Sequence, residues 1–185
     1  LPHGPSKLLR PLKQYLRRLL YPKATRLLSD DRFAEATLQQ LASRVDGRSV
    51  ALVGNAQALL SSGARVAIDG HEFVMRFNAG YISQPEHQGT RTDLVGVSRG
   101  MRPERVAEGH KGVPVFWLSI NREQMRSGNL RHIETLTVVP AAKFRALQEE
   151  VGGKPSSGLM ALAVMRSFGP RSITLYGFDW KKTPT

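Results

Sequence analysis

The chain has 185 residues, of which 41% are hydrophobic, a length and apolar content that suit one globular domain with a buried core rather than two full domains. It contains no cysteine, which excludes a disulfide framework and any thiolate metal site and fits a reducing compartment. The formal net charge is +12, and seven basic residues with no acidic one lie between Leu1 and Arg26, so the excess belongs largely to the N-terminal segment.

In that segment Leu8, Leu9, Leu12, Leu16, Leu19 and Leu20 recur at helical spacing, with the cations mostly between them. A basic amphipathic helix of this kind either docks its leucines on the domain core or lies on an anionic membrane surface. Nucleic acid is not expected as a partner, because only Tyr15 and Tyr21 interleave the cations. No run of about 18 apolar residues is present, so no membrane-spanning helix is expected. Residues 1–46 are read as a helical extension and 47–185 as the main domain.

A helix is predicted from Asp31 to Arg44, with Phe33, Leu38 and Leu41 on its inner side and Ser29 or Asp30 as its cap. Asp46-Gly47 marks a turn, after which Ser49–Val53 forms a short apolar run ending in Gly54-Asn55, the pattern of a buried strand entering a loop. Further strand-like runs follow at Phe73–Phe77, Leu94–Val97, Val113–Leu118, Leu136–Val139 and Ile173–Tyr176, with helices at Ala141–Glu150 and Ser157–Phe168. Strands alternating with helices predict an α/β fold, a mostly parallel sheet flanked by helices. Ligands of such sheets bind beyond the carboxyl ends of the strands, where the strand order switches.

The residues at those ends carry suitable chemistry. Gly54 permits close backbone approach, and Asn55 offers both a donor and an acceptor, although Gly-Asn is also a common turn. Asn78 ends the next run, and the two amides could read a nucleobase, a ribose or a phosphate. Pro155-Ser156-Ser157-Gly158 precedes a helix, so its hydroxyls and N–H groups suit an anion, or simply cap the helix. Tyr176-Gly177-Phe178 again places a glycine and a ring at a strand end. No Asp-x-Asp follows an apolar run, and His3, His71, His87, His110 and His132 show no ligand spacing, so no metal site is expected. His71, with Asp69 nearby, precedes a strand instead of following one. It is read as structural, its hydrogen bond holding the turn.

Two stretches then match a family. Val50-Ala51-Leu52-Val53-Gly54-Asn55, Ser62-Gly63, Ile68–Asn78 and Gly89-Thr90-Arg91-Thr92-Asp93 resemble the long sialylmotif of animal-type sialyltransferases, glycosyltransferase family 29. Pro155–Met160 through Ile173–Phe178 resembles their short sialylmotif. The resemblance implies a Rossmann-like, metal-independent, inverting transferase without a cofactor. Its donor would be a CMP-activated acid sugar such as sialic acid or Kdo, its acceptor a glycan or glycolipid. The nucleotide contacts carry over to Asn55, Asn78, Ser156, Ser157, Gly158, Gly177 and Phe178. The family's catalytic histidine is expected beyond Thr185, and a CMP-sugar-binding domain without transfer is the alternative. Eukaryotic members join the two motifs by a disulfide, worth about 2–5 kcal/mol. This chain has Ala51 near the first position, so packing must compensate. That departure points to a bacterial homologue, cytoplasmic or peripheral on the inner membrane, in polysaccharide or lipopolysaccharide synthesis.

Overall fold

The computed structural model describes residues 30–78, 80–98, 112–122 and 135–179, together with Leu20, Leu28 and Met125. The basic helix expected within Leu1–Arg26 lies outside the described residues except for Leu20, which is helical and exposed. Among the described residues no helix is long and apolar enough to cross a membrane.

Six strands form one parallel sheet: β1 (Ser49–Val53), β2 (Phe73–Phe77), β3 (Leu94–Val97), β4 (Val115–Trp117), β5 (Leu136–Val138) and β6 (Ser172–Tyr176). Their order is β5-β4-β3-β2-β1-β6. The apolar runs of β1 to β5 become buried strands, continuous burial being what a central parallel strand requires, while β6 at the edge is half-exposed. Val50 and Leu52 enter one core cluster with Phe73, Met75 and Phe77, while Ala51 and Val53 enter another with Ile68 and Val74. That division follows from side chains alternating across the pleat. β4 is shorter than its apolar run because Pro114 has no N–H to give a ladder; its carbonyl accepts from the Val95 N–H instead.

Helix α1 (Asp31–Val45) is capped by Asp30, whose carboxylate accepts from the Arg32 N–H at 2.9 Å. Leu38, Leu41 and Val45 join the core containing β1 and β2, and Ala34 joins a third cluster with Val95, Trp117 and Val138. Thr37 on the same helix accepts from the backbone N–H of Val138 at 3.3 Å, which covers the β5 edge. Two short helices, α2 (Arg65–Asp69) and α3 (Pro85–Gln88), follow β1 and β2. Helices α4 (Ala141–Glu150) and α5 (Ser157–Arg166) close the core through Phe144, Leu147, Met160, Ala161, Val164 and Met165.

The two motif stretches are held together by backbone pairing. β1 and β6 are in register over their full length, from Ser49 opposite Ser172 to Val53 opposite Tyr176. Beyond the strands, the Gly47 N–H donates to the Gly169 carbonyl and the Arg171 N–H to the Arg48 carbonyl. The Arg171 guanidinium pairs with Glu72 at 2.5 Å. The two stretches are thus joined without a covalent link.

Candidate nucleotide site

The chain runs from β1 outward to β5 and then returns to place β6 on the other side of β1. The strand order therefore reverses between β1 and β6, and a cavity lies beyond their carboxyl ends. The cavity found there has a volume of about 390 Å³, within the range of small-molecule sites.

Its floor is backbone. The Gly54 N–H donates to the Tyr176 carbonyl at 2.7 Å and the Ala56 N–H to the Gly177 carbonyl at 3.0 Å, so the β1–β6 ladder continues past both strands. A Cβ on Gly54 would lie 2.4 Å from the Gly177 oxygen, and Gly177 itself adopts φ +65°. Both positions require glycine, the first for close approach and the second for its left-handed backbone.

Asn55 bridges two strand exits. Its Nδ2 donates to the Phe77 carbonyl at 3.1 Å, while a Cβ on Gly80 would come within 2.8 Å of its Oδ1. One of its two amide hydrogens is thus engaged by the protein, and the exposed side chain borders the cavity. Asn78 adopts φ 55°, among the described residues the one non-glycine in the left-handed region, which asparagine tolerates better than most side chains. Its N–H donates to the Gly96 carbonyl at 2.8 Å, tying the end of β2 to β3.

The opposite wall is the start of α5. Ser156 is the cap, its Oγ accepting from the Leu159 N–H at 3.2 Å. Capping, one of the two readings of this segment, is therefore observed. It leaves the N–H groups of Ser157 and Gly158 without an acceptor in the helix, at the positive end of its dipole. Phe178 fills the space beside Gly158, where a Cβ would meet its ring at 2.6 Å. The Phe178 ring stands edge-on to Phe77, with centroids 5.8 Å apart and an interplanar angle of 84°.

All seven residues anticipated at the site (Asn55, Asn78, Ser156, Ser157, Gly158, Gly177 and Phe178) line this one cavity. Sequence reasoning did not assign Leu159, Leu162 and Leu175, its apolar wall, or Asp179. Leu159 and Leu162 are three apart on α5, a spacing that puts them on one helix face, and Asp179 directly follows Phe178.

The rest of the long motif buttresses the strands from behind. Arg76 is 2% exposed. Its Nη2 donates to the Gln88 carbonyl at 2.8 Å and its Nε to Thr92 Oγ1 at 2.9 Å and to the Arg91 carbonyl at 3.1 Å. Burial pulls this guanidinium below its ordinary value, and the Asp69 charge opposes that. Asp69 accepts from the N–H groups of Thr90 and Arg91 and from the Thr90 hydroxyl. Burial raises the Asp69 pKa, but these donors and the Arg76 charge outweigh it and hold the carboxyl below its ordinary value. Arg91 donates to the carbonyls of His71 and Glu72 at 2.8 and 2.7 Å. His71 does not line the cavity. Its Nε2 lies 3.1 Å from the Tyr176 hydroxyl, so the partner of its ring is a strand residue and not Asp69.

Glycines at two strand exits, a helix N-terminus and an apolar wall together frame the cavity of this α/β domain. Residues 20–116 match the model of glycosyltransferase family 29, the sialyltransferases. The chain belongs to that family, and it is a glycosyltransferase. Several solved structures share the fold, three of them as follows. One is a mammalian sialyltransferase, with TM-score 0.54, 17% identity, and 86% of this chain and 75% of that one covered. Another is a mammalian sialyltransferase in complex with Gal-beta-1-3GalNAc-ortho-nitrophenol, with TM-score 0.50, 17% identity, and 85% and 71% covered. The third is the sialyltransferase CstII from Campylobacter jejuni in complex with a substrate analogue, CMP-3FNeuAc, with TM-score 0.52, 15% identity, and 73% and 66% covered. No curated protein matches the chain.

Proposed function

We propose that the cavity binds the nucleotide of a CMP-activated acid sugar, sialic acid or a relative such as Kdo, and that the protein transfers the sugar to a glycan or glycolipid with inversion and without a metal ion. The observation that carries this reading is convergence. Two motif stretches far apart in sequence bring Asn55, Asn78, Ser156, Ser157, Gly158, Gly177 and Phe178 to one cavity at the strand-order switch. The N–H groups of Ser157 and Gly158 are aligned for a phosphate, and they strengthen their hold as CMP leaves and its phosphate gains charge. Phe77, Phe178 and the leucines of the wall supply apolar surface for the base and ribose. Work at the cytoplasmic face of a bacterial inner membrane, in polysaccharide or lipopolysaccharide synthesis, belongs to the same proposal. The cationic segment Leu1–Arg26 supports it through its attraction to anionic lipid.

Isothermal titration with CMP, with and without EDTA, tests the reading. Binding is expected in both conditions with the same affinity. Absence of CMP binding overturns the nucleotide assignment, and a loss of more than about tenfold on chelation, roughly 1.4 kcal/mol, overturns the metal-free part. Release of CMP from a CMP-sugar on addition of a glycan acceptor separates a transferase from a domain that only binds the donor.

A further inference from the structure

His71 and Tyr176 meet behind the cavity wall. Tyr176 is the last residue of β6, its carbonyl holds the Gly54 N–H, and the next two residues, Gly177 and Phe178, line the cavity. Its hydroxyl reaches His71 Nε2 at 3.1 Å, and the two rings stand edge to face with centroids 5.8 Å apart. His71 is in turn fixed in the turn between α2 and β2. Its N–H donates to the Ile68 carbonyl, and its own carbonyl accepts from Arg91. A side-chain pair therefore fastens the exit of β6 to the turn before β2.

The other ring nitrogen, Nδ1, is buried without a hydrogen-bond partner. The charged groups nearby are already engaged. Asp69 on α2 is held by Thr90, Arg91 and Arg65, and Glu72 by Ser49 and Arg171. Arg91 is held by Asp93 and two carbonyls, and Arg76 on β2 by the 88–92 loop. A proton on Nδ1 would put charge on a buried atom with no hydrogen-bond partner among the described residues, a cost the ring would relieve by moving toward solvent and away from Tyr176.

We propose that His71 and Tyr176 are positioning residues for the nucleotide site: neutral His71 anchors the β6 exit, and protonation of His71 releases Gly177 and Phe178 and weakens nucleotide binding. Burial pulls His71 below its ordinary value and pushes Tyr176 above its own, so the neutral pair is the form the fold favours. The sign follows. The anchored state is fully present above about pH 6.5 and is lost as the pH falls through the lower folded value.

The nucleotide part rests on the CMP reading above, so the test has two arms on the intact protein. In the first, amide shifts of Gly177 and Phe178 are followed by NMR from about pH 8 to about pH 5. They are expected to move with the midpoint of the His71 ring, and to stay flat in His71→Gln, whose amide offers Tyr176 a partner that does not titrate. In the second, CMP affinity is expected to fall about two- to tenfold more in the wild type than in His71→Gln over that range, the comparison cancelling the titration of CMP itself. His71→Gln is expected to bind more weakly than wild type at neutral pH. Should it not fold, Tyr176→Phe decides, since the amides of residues 177 and 178 should then no longer follow His71. Wild-type amides that do not track His71, or superimposable binding profiles, overturn the inference. Absence of CMP binding at every pH overturns the nucleotide assignment alone, and the amide titration still decides the anchoring.

Discussion

The closest backbone approach at the site is the place to test its construction. In Gly54→Ala the new methyl group would lie 2.4 Å from the Gly177 carbonyl oxygen and 3.1 Å from its carbon. Neither is the end of a movable side chain, so the exits of β1 and β6 must separate. The hydrogen bonds that close that gap, Gly54 to Tyr176 at 2.7 Å and Ala56 to Gly177 at 3.0 Å, are then stretched or broken. Each is worth about 0.5–1.5 kcal/mol, and forcing a methyl group into a filled space costs a further ~1–3 kcal/mol. The resulting destabilisation of about 2–6 kcal/mol corresponds to a drop in Tm of roughly 4–24 °C for a chain of this size. Gly153→Ala is the control, since nothing lies within 4 Å of a Cβ there and its φ is not positive. Its stability should stay within about 0.5 kcal/mol of wild type. Thermal and urea unfolding read the fold, and CMP titration reads the site. If Gly54→Ala unfolds like Gly153→Ala and binds CMP like wild type, the backbone floor described here is wrong.

Gly158→Ala meets a ring instead of backbone, so Phe178 should swing aside at a stability cost of under about 1.5 kcal/mol while CMP affinity falls several-fold; calorimetry beside titration checks both. At the left-handed Asn78, Asn78→Gly should melt like wild type yet bind CMP more weakly, whereas Asn78→Val should lose about 1–2 kcal/mol of stability. Asn55→Ala removes the donor to the Phe77 carbonyl and should lower stability by about 0.5–1.5 kcal/mol, with a loss of CMP affinity. Asp69 has a folded value below its ordinary 3.8, so its contribution is present above about pH 4 and lost as the pH falls through the folded value. The stability gap between wild type and Asp69→Asn in urea unfolding should therefore close in acid.

β1 to β5 were legible because each is an apolar run that the fold buries, and Ser49–Val53, Phe73–Phe77 and Leu94–Val97 begin and end where the pattern does, whereas the edge strand β6 stays half-exposed. Edges moved where a local group intervened. β5 stops at Val138, one residue short of its run, with Pro140 following. α5 stops at Arg166 because the Ser167 hydroxyl turns back to the Val164 carbonyl and Gly169 takes φ +71°. α2 and α3 span five and four residues, too few to show a helical period. The polar residues of the cavity other than Asp179 were among those picked out from strand ends and motif positions. The leucines of its wall were not, because Leu159 and Leu162 differ in no sequence property from the leucines of a core helix. The engaged amide hydrogen of Asn55 depends on the carbonyl of Phe77, a backbone group that no residue pattern announces.

The pairing of β1 with β6 also governs when the site comes into being. Val53 and Tyr176 are register partners separated by roughly 120 residues of chain, a long-range closure that folding reaches late. β1 to β5 lie side by side in sequence order and can assemble as they leave the ribosome. The floor made by Gly54 and Gly177 can form only after β6 has emerged and docked on β1. Partly synthesised chains then present an apolar β1 flank without its β6 partner. A nucleotide that binds only the closed β1–β6 exit would stabilise the docked strand by mass action.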